Sequence, residues 1–233
     1  MSHYLVAVLH RKDQSVENLL APYDENLQVE KRIEYSREQA IQVAREWYSD
    51  ADKLTDDECW QRMAKDAGEG MSDEDGNIYT QSNPRGYWDW WEVGGRWSGL
   101  LKLKTGSKAS LARMGDIDFS PDEAVHRRAL RFWDVIVEHQ PKVEGEDFFD
   151  FHGEQYYRKY YGDRETYARL QASFSTYAVV TADGEWHACG RMGWWAMSSE
   201  GPEEARDWYE NYQKRFLDGA DPNLILTIVD CHI

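Results

Sequence analysis

The sequence predicts an α+β fold, a mostly antiparallel sheet with helices packed on it, and three observations carry that expectation. Apolar runs stand near both ends, at residues 4–9 and 224–229, and each suits a strand. Asp183-Gly184 and Gly94-Gly95 each separate two strand-like runs, as hairpin turns do. Amphipathic helices with their own start signals stand singly between these strand pairs. With 233 residues the chain is long enough to bury a substantial core, and residues 1–233 read as a single domain.

Taken in order, residues 3–10 form a strand that ends at the charged Arg11-Lys12-Asp13. Ser36 with Gln39 and Thr55 with Glu58 are capping boxes, each followed by apolar residues at helical spacing, so two helices follow the strand. Gly68 stops the second. Residues 68–86 are polar and turn-rich and read as a surface loop. Residues 87–93 and 96–104 read as two strands joined or bulged at Gly94-Gly95. A helix starts at Ser120-Pro121-Asp122-Glu123, with Pro at its first position. Residues 156–170 form a helix broken near Gly162, and residues 174–181 and 185–189 flank the Asp183-Gly184 turn. Pro202 opens the last helix, Gly219 ends it, and residues 224–233 close the sheet. Trp91 to Arg96 and Trp186 to Arg191 share W-x-x-x-G-R, an echo that allows two related ββα-type halves.

Composition narrows the function. A net charge of −16 repels a phosphate backbone and disfavours direct nucleic-acid binding. The apolar runs fall far short of a bilayer span and no leader precedes the first, so the expected location is the cytoplasm, with no membrane partner. Cys59, Cys189 and Cys231 are too few and too scattered for a disulfide framework or a zinc knuckle, and reduced thiols are expected.

Residues 83–99 gather five aromatic rings, two carboxylates, two arginines and four glycines. Rings beside glycine-opened backbone suit a pocket wall, and a guanidinium there can fork onto an anion while stacking on indole. The candidate ligand-binding residues are therefore Asp89, Trp91, Glu92, Gly94, Gly95, Arg96 and Trp97. His187, Arg191 and Trp194 from the second Trp-rich tract complete the set. The competing reading pairs Arg96 internally with Asp89 or Glu92 and makes the rings core. No metal ligands are assigned, no catalytic residue is fixed, and the cofactor is unknown.

At the chain end, alternation places Asp230 and His232 on one face and Cys231 on the other. Asp-x-His is half of a metal or acid–base site, which antiparallel pairing of the terminal strands would bring to His3 and parallel pairing to His10. The preferred reading is a solvated chain end, because four ligands at fixed spacing are missing. Asp73 to Ile78 is an acidic turn rather than a calcium loop, since Met71 and Ser82 would occupy positions that need carboxylates. Nucleotide-binding glycine loops, H-E-x-x-H and G-x-S-x-G are absent.

Leu20-Ala21-Pro22-Tyr23-Asp24-Glu25-Asn26, the tract from Trp88 to Gly99 and the terminal Asp230-Cys231-His232 together resemble uncharacterised proteins of bacteriophages and prophage-bearing bacteria. The resemblance implies a phage or mobile-element setting and no particular activity. The leading expectation is a binding protein whose aromatic and Arg-lined pocket takes a small anionic or planar ligand, including nucleotide-derived ones. One alternative is a hydrolase or transferase using Arg96, Asp89 or Glu92, and His187 or His232. Another is an acidic interaction protein that mimics nucleic acid or docks on a host protein. Under the binding reading, the rings and Arg96 converge with no His–carboxylate pair at hydrogen-bonding distance.

Overall fold

The computed structural model describes residues 2–193 and 197–233. The chain forms two compact units, Met1–Pro22 with Tyr87–Ile233 and Tyr23–Gly86. The larger unit opens with strand β1 (His3–His10) and helix α1 (Val16–Leu20). The smaller unit holds β2 (Arg32–Tyr35), α2 (Arg37–Trp47), α3 (Asp56–Ala67) and β3 (Ile78–Thr80). Both expected capping boxes form, at Ser36 with Gln39 and at Thr55 with Glu58, and the helices bury Ala40, Ala44, Cys59 and Met63 against Ile78. Residues 68–86 are not wholly loop. Ile78 and Thr80 turn inward and β3 pairs antiparallel with β2, a strand too short for its polar surroundings to announce.

The chain re-enters the larger unit through β4 (Trp90–Val93), β5 (Leu101–Lys102), β6 (Lys108–Ala109) and β7 (Leu111–Arg113). Helices α4 (Glu123–Ile136), α5 (Glu154–Tyr161) and α6 (Arg164–Ala172) follow. Then come β8 (Ala178–Val180), β9 (Trp186–Ala188), α7 (Pro202–Phe216) and β10 (Ile225–His232). The main sheet runs β4-β10-β1-β8-β9, with β7 also on β10, and among the described residues only the β1–β8 pair is parallel. The fold is thus the expected α+β class. The terminal strands pair antiparallel from His3 opposite His232 to His10 opposite Ile225, and both are buried on two faces. Ala7, Leu9, Leu226 and Ile228 pack with Trp208 and Tyr212 of α7, each buried leucine or isoleucine contributing about 1.5–3 kcal/mol.

Two local expectations fail for identifiable reasons. Residues 87–104 do not make a hairpin: a 3-10 turn at Gly95–Trp97 carries the chain off the sheet, so β4 pairs with β10 while β5 pairs with β6. Helix α4 begins two residues late, because Asp122 accepts from the amides of Ala124 and Val125 while the Ser120 hydroxyl donates to Asp118. The two W-x-x-x-G-R tracts begin in strands at opposite edges of the sheet, and only β9 completes a hairpin, through Asp183-Gly184. Among the described residues no helix is long and apolar enough to cross a membrane.

The α4–α6 contact carries an acid-sensitive pair. Arg164 donates to both oxygens of Asp134, at 2.6 and 2.9 Å, and holds this carboxyl below its usual range. A depressed folded pKa means stability that is full above the ordinary carboxylate range and lost as pH falls through it. Thermal melting against pH should therefore show an acid-side loss that shrinks in Asp134→Asn; an identical acid limb in the variant would contradict the assignment.

Candidate active site

Strand pairing brings His3, His232 and Trp90 into one row across β1, β10 and β4, because directly opposed residues share a face of the sheet. The next row along is Leu5, Asp230 and Glu92. From it Asp230 reaches diagonally, its Oδ1 lying 2.8 Å from Nδ1 of His3. Asp89, just before β4, donates its amide to the His232 carbonyl and sets its Oδ1 2.6 Å from Nδ1 of His232. The structure therefore contains two His–Asp pairs side by side, with imidazole centroids 5.0 Å apart.

The surroundings fix both rings. The Trp90 indole stacks on His232 at 5.5 Å and 16°, and His3 stands edge-on to both. Asp230 is fully buried, with its second oxygen accepting the Arg96 amide at 3.0 Å. An ionised carboxylate only accepts, so a neutral imidazole paired with one through Nδ1 carries its proton on Nδ1 and its lone pair on Nε2. Among the described residues neither Nε2 has a hydrogen-bond partner. The His3 side chain is 14% exposed and the His232 side chain 6%. His10 differs: Thr227 Oγ1 and the Arg11 carbonyl engage both of its nitrogens, so it is structural.

This arrangement corrects two expectations. The chain end is not solvated, since Asp230 is 0% and His232 5% exposed, because β10 is an inner strand rather than a trailing edge. The expected absence of a His–carboxylate pair near Arg96 also fails, because the Arg96 amide binds a carboxylate already shared with His3.

The sequence-derived site residues separate into several places. Asp89 belongs to the cluster. Trp91 lies opposite Cys231, on the other face from His232, while Glu92 is exposed opposite Asp230. Gly94 and Gly95 are required by internal packing rather than by a ligand: a Cβ on Gly94 would lie 2.7 Å from the hydroxyls of Ser98 and Ser110, and one on Gly95 would collide with Asp230. Arg96 is exposed, with no side-chain ion pair to Asp89 or Glu92, and Trp97 lines a cavity of its own. His187 is exposed, its ring 5.5 Å from Phe216. Arg191 lies over the Tyr87 ring at 5.6 Å, in a different cavity of 460 Å³. Trp194 falls outside the described residues. Trp90 is not among the sequence-derived candidates, because its place in the row with His3 and His232 follows only from the pairing of β4 with β10.

The thiols stand apart from this chemistry. Cys231 faces away from His232, and burial pushes its pKa well up; burial also raises Cys189, to about 12. Neither provides a ready thiolate. Among the described residues no group of three or more His, Cys, Asp or Glu side chains is placed to hold a metal ion. No family model, curated protein or solved structure matches this chain.

Proposed function

We propose that the protein is a cytoplasmic hydrolase or transferase, in a phage-related setting, whose catalytic groups are His3 and His232. The observation that carries this reading is the doubled His–Asp pair, each ring pinned through Nδ1 and, among the described residues, without a partner at Nε2. Such a pair can divide the work of general base and general acid. One neutral imidazole takes a proton at Nε2 from water, or from a substrate hydroxyl, as that oxygen attacks. The other, protonated, gives its Nε2 proton to the leaving group, and solvent exchange restores both. Asp89 and Asp230 act as positioning residues that hold the tautomer, and the exposed Arg96 guanidinium is available to an anionic part of the substrate.

The test is a screen of p-nitrophenyl carboxylic esters, phosphomonoesters and phosphodiesters against wild type, His3→Gln and His232→Gln. Turnover in wild type that both substitutions abolish supports the reading. Absence of turnover across the panel, or turnover that survives both substitutions, overturns it.

A second reading keeps the binding protein and moves its pocket. The Tyr87 and Trp186 rings stack at 5.0 Å beside Arg191 and Trp208 in the 460 Å³ cavity, whose lining also holds Glu204 and the Asp207–Arg215 ion pair, and stacked rings beside a guanidinium suit a planar ligand.

A further inference from the structure

A separate cavity of 450 Å³ is lined by residues of β1, α6 and α7, and its size is that of a small-molecule site, roughly 300–1,000 Å³. Leu5 forms part of its wall. That residue is two positions from His3 along β1, about 7 Å at strand spacing, and lies directly opposite Asp230. Trp97, which directly follows Arg96, forms another part. Among the described residues, no member of the two His–Asp pairs lines the cavity itself, and Leu5 and Trp97 connect it to them through the strand pairing and the chain.

Its lining has a distinct chemistry. Although 30% of the chain is charged, no charged side chain among the described residues lines this cavity. Its walls are rings, among them Trp97, Phe174 and Tyr209, with Gln171 and Ser175 as neutral donors and acceptors. Burial pushes the Tyr161, Tyr177 and Tyr209 phenols up, which keeps these hydroxyls neutral as well. An occupant carrying full charge would find no counter-ion here and would lose its hydration. A flat, uncharged ring with hydrogen-bonding edges fits: its faces stack on the aromatics, and a primary amide such as that of Gln171 can pair with a donor–acceptor edge.

We infer that this cavity is the substrate-recognition subsite and that it takes a neutral nucleobase, with the rest of the substrate directed toward Nε2 of His3 and His232. The assignment rests on the acid–base reading of those histidines, because it assigns the cavity to their substrate. Selectivity comes from the cavity and reaction from the adjoining row.

The experiment is calorimetric titration of the full chain with adenosine, uridine and N-acetylglucosamine. Wild type, Gln171→Leu, Leu100→Trp and His3→Gln are compared, with circular dichroism and melting confirming the fold. Leu100 is exposed at the cavity wall, so a larger ring there narrows the cavity without entering the core. At least one nucleoside should bind, and Gln171→Leu and Leu100→Trp should each weaken it by about tenfold or more. His3→Gln should bind as wild type does. No nucleoside binding at millimolar concentration, binding unchanged by both cavity variants, or preference for the sugar overturns the inference. Loss of chromogenic turnover in the histidine variants without nucleoside binding would leave the acid–base reading standing and remove this one. Nucleoside binding with turnover indifferent to the histidines would remove the acid–base reading and with it the cavity's role as their subsite, leaving a nucleoside-binding cavity alone.

Discussion

Replacing His232 with Gln should lower turnover by about 10²–10⁴-fold, the usual contribution of a positioned general acid or base. Gln fills much of the imidazole's place and can donate to Asp89, but it has no nitrogen able to take and return a proton. KM should change little, because the ring is not proposed to grip substrate. Asp89→Asn tests the positioning role: the amide can offer Nδ1 a donor instead of an acceptor, which favours the other tautomer and puts the proton on Nε2. The fall should be large but smaller than in His232→Gln. A loss confined to KM in both variants would assign these groups to binding instead. Measuring kcat and KM separately on the best chromogenic substrate decides between these outcomes.

The largest stability effect outside the core should come from Gly95→Ala. Gly95 has a φ of 48°, and a Cβ there would collide with the Asp230 side chain. Asp230 has little freedom to retreat, since it is fully buried and accepts from both His3 and the Arg96 amide. Backbone strain and the displaced carboxylate together should cost about 3 kcal/mol, measured by urea unfolding. Gly153→Ala, another positive-φ glycine whose Cβ would meet nothing within 4 Å, provides the control and should cost about 1 kcal/mol. Equal losses in the two variants would mean that contact with Asp230 adds nothing.

Local signals in the sequence carry into the structure where the deciding partners are near. The capping boxes at Ser36 and Thr55, the turn at Asp183-Gly184 and the break at Gly162 each depend on residues a few positions apart, and all form. The juxtaposition of His3 with His232 follows from antiparallel pairing of the terminal strands, which the apolar runs allow but do not decide. What could not be read depends on distant approach. Gly94 and Gly95 advertise crowding without saying that Ser110 and Asp230 cause it. Trp90 and Trp91 look alike in sequence; pairing of β4 with β10 alone puts Trp90 on His232 and Trp91 opposite Cys231. Burial of the final residues likewise follows from β4 lying outside β10.

The most direct measurement of the central claim is the proton position on the two imidazoles, read from ¹⁵N chemical shifts and long-range ¹H–¹⁵N couplings in uniformly labelled protein. The rings of His3 and His232 should, in their neutral form, both carry hydrogen on Nδ1 and a lone pair on Nε2, while His10 should be insensitive to Asp89→Asn. Protonated Nε2 in the neutral rings of wild type would place the lone pairs against Asp89 and Asp230, leave no base facing solvent, and contradict the acid–base account.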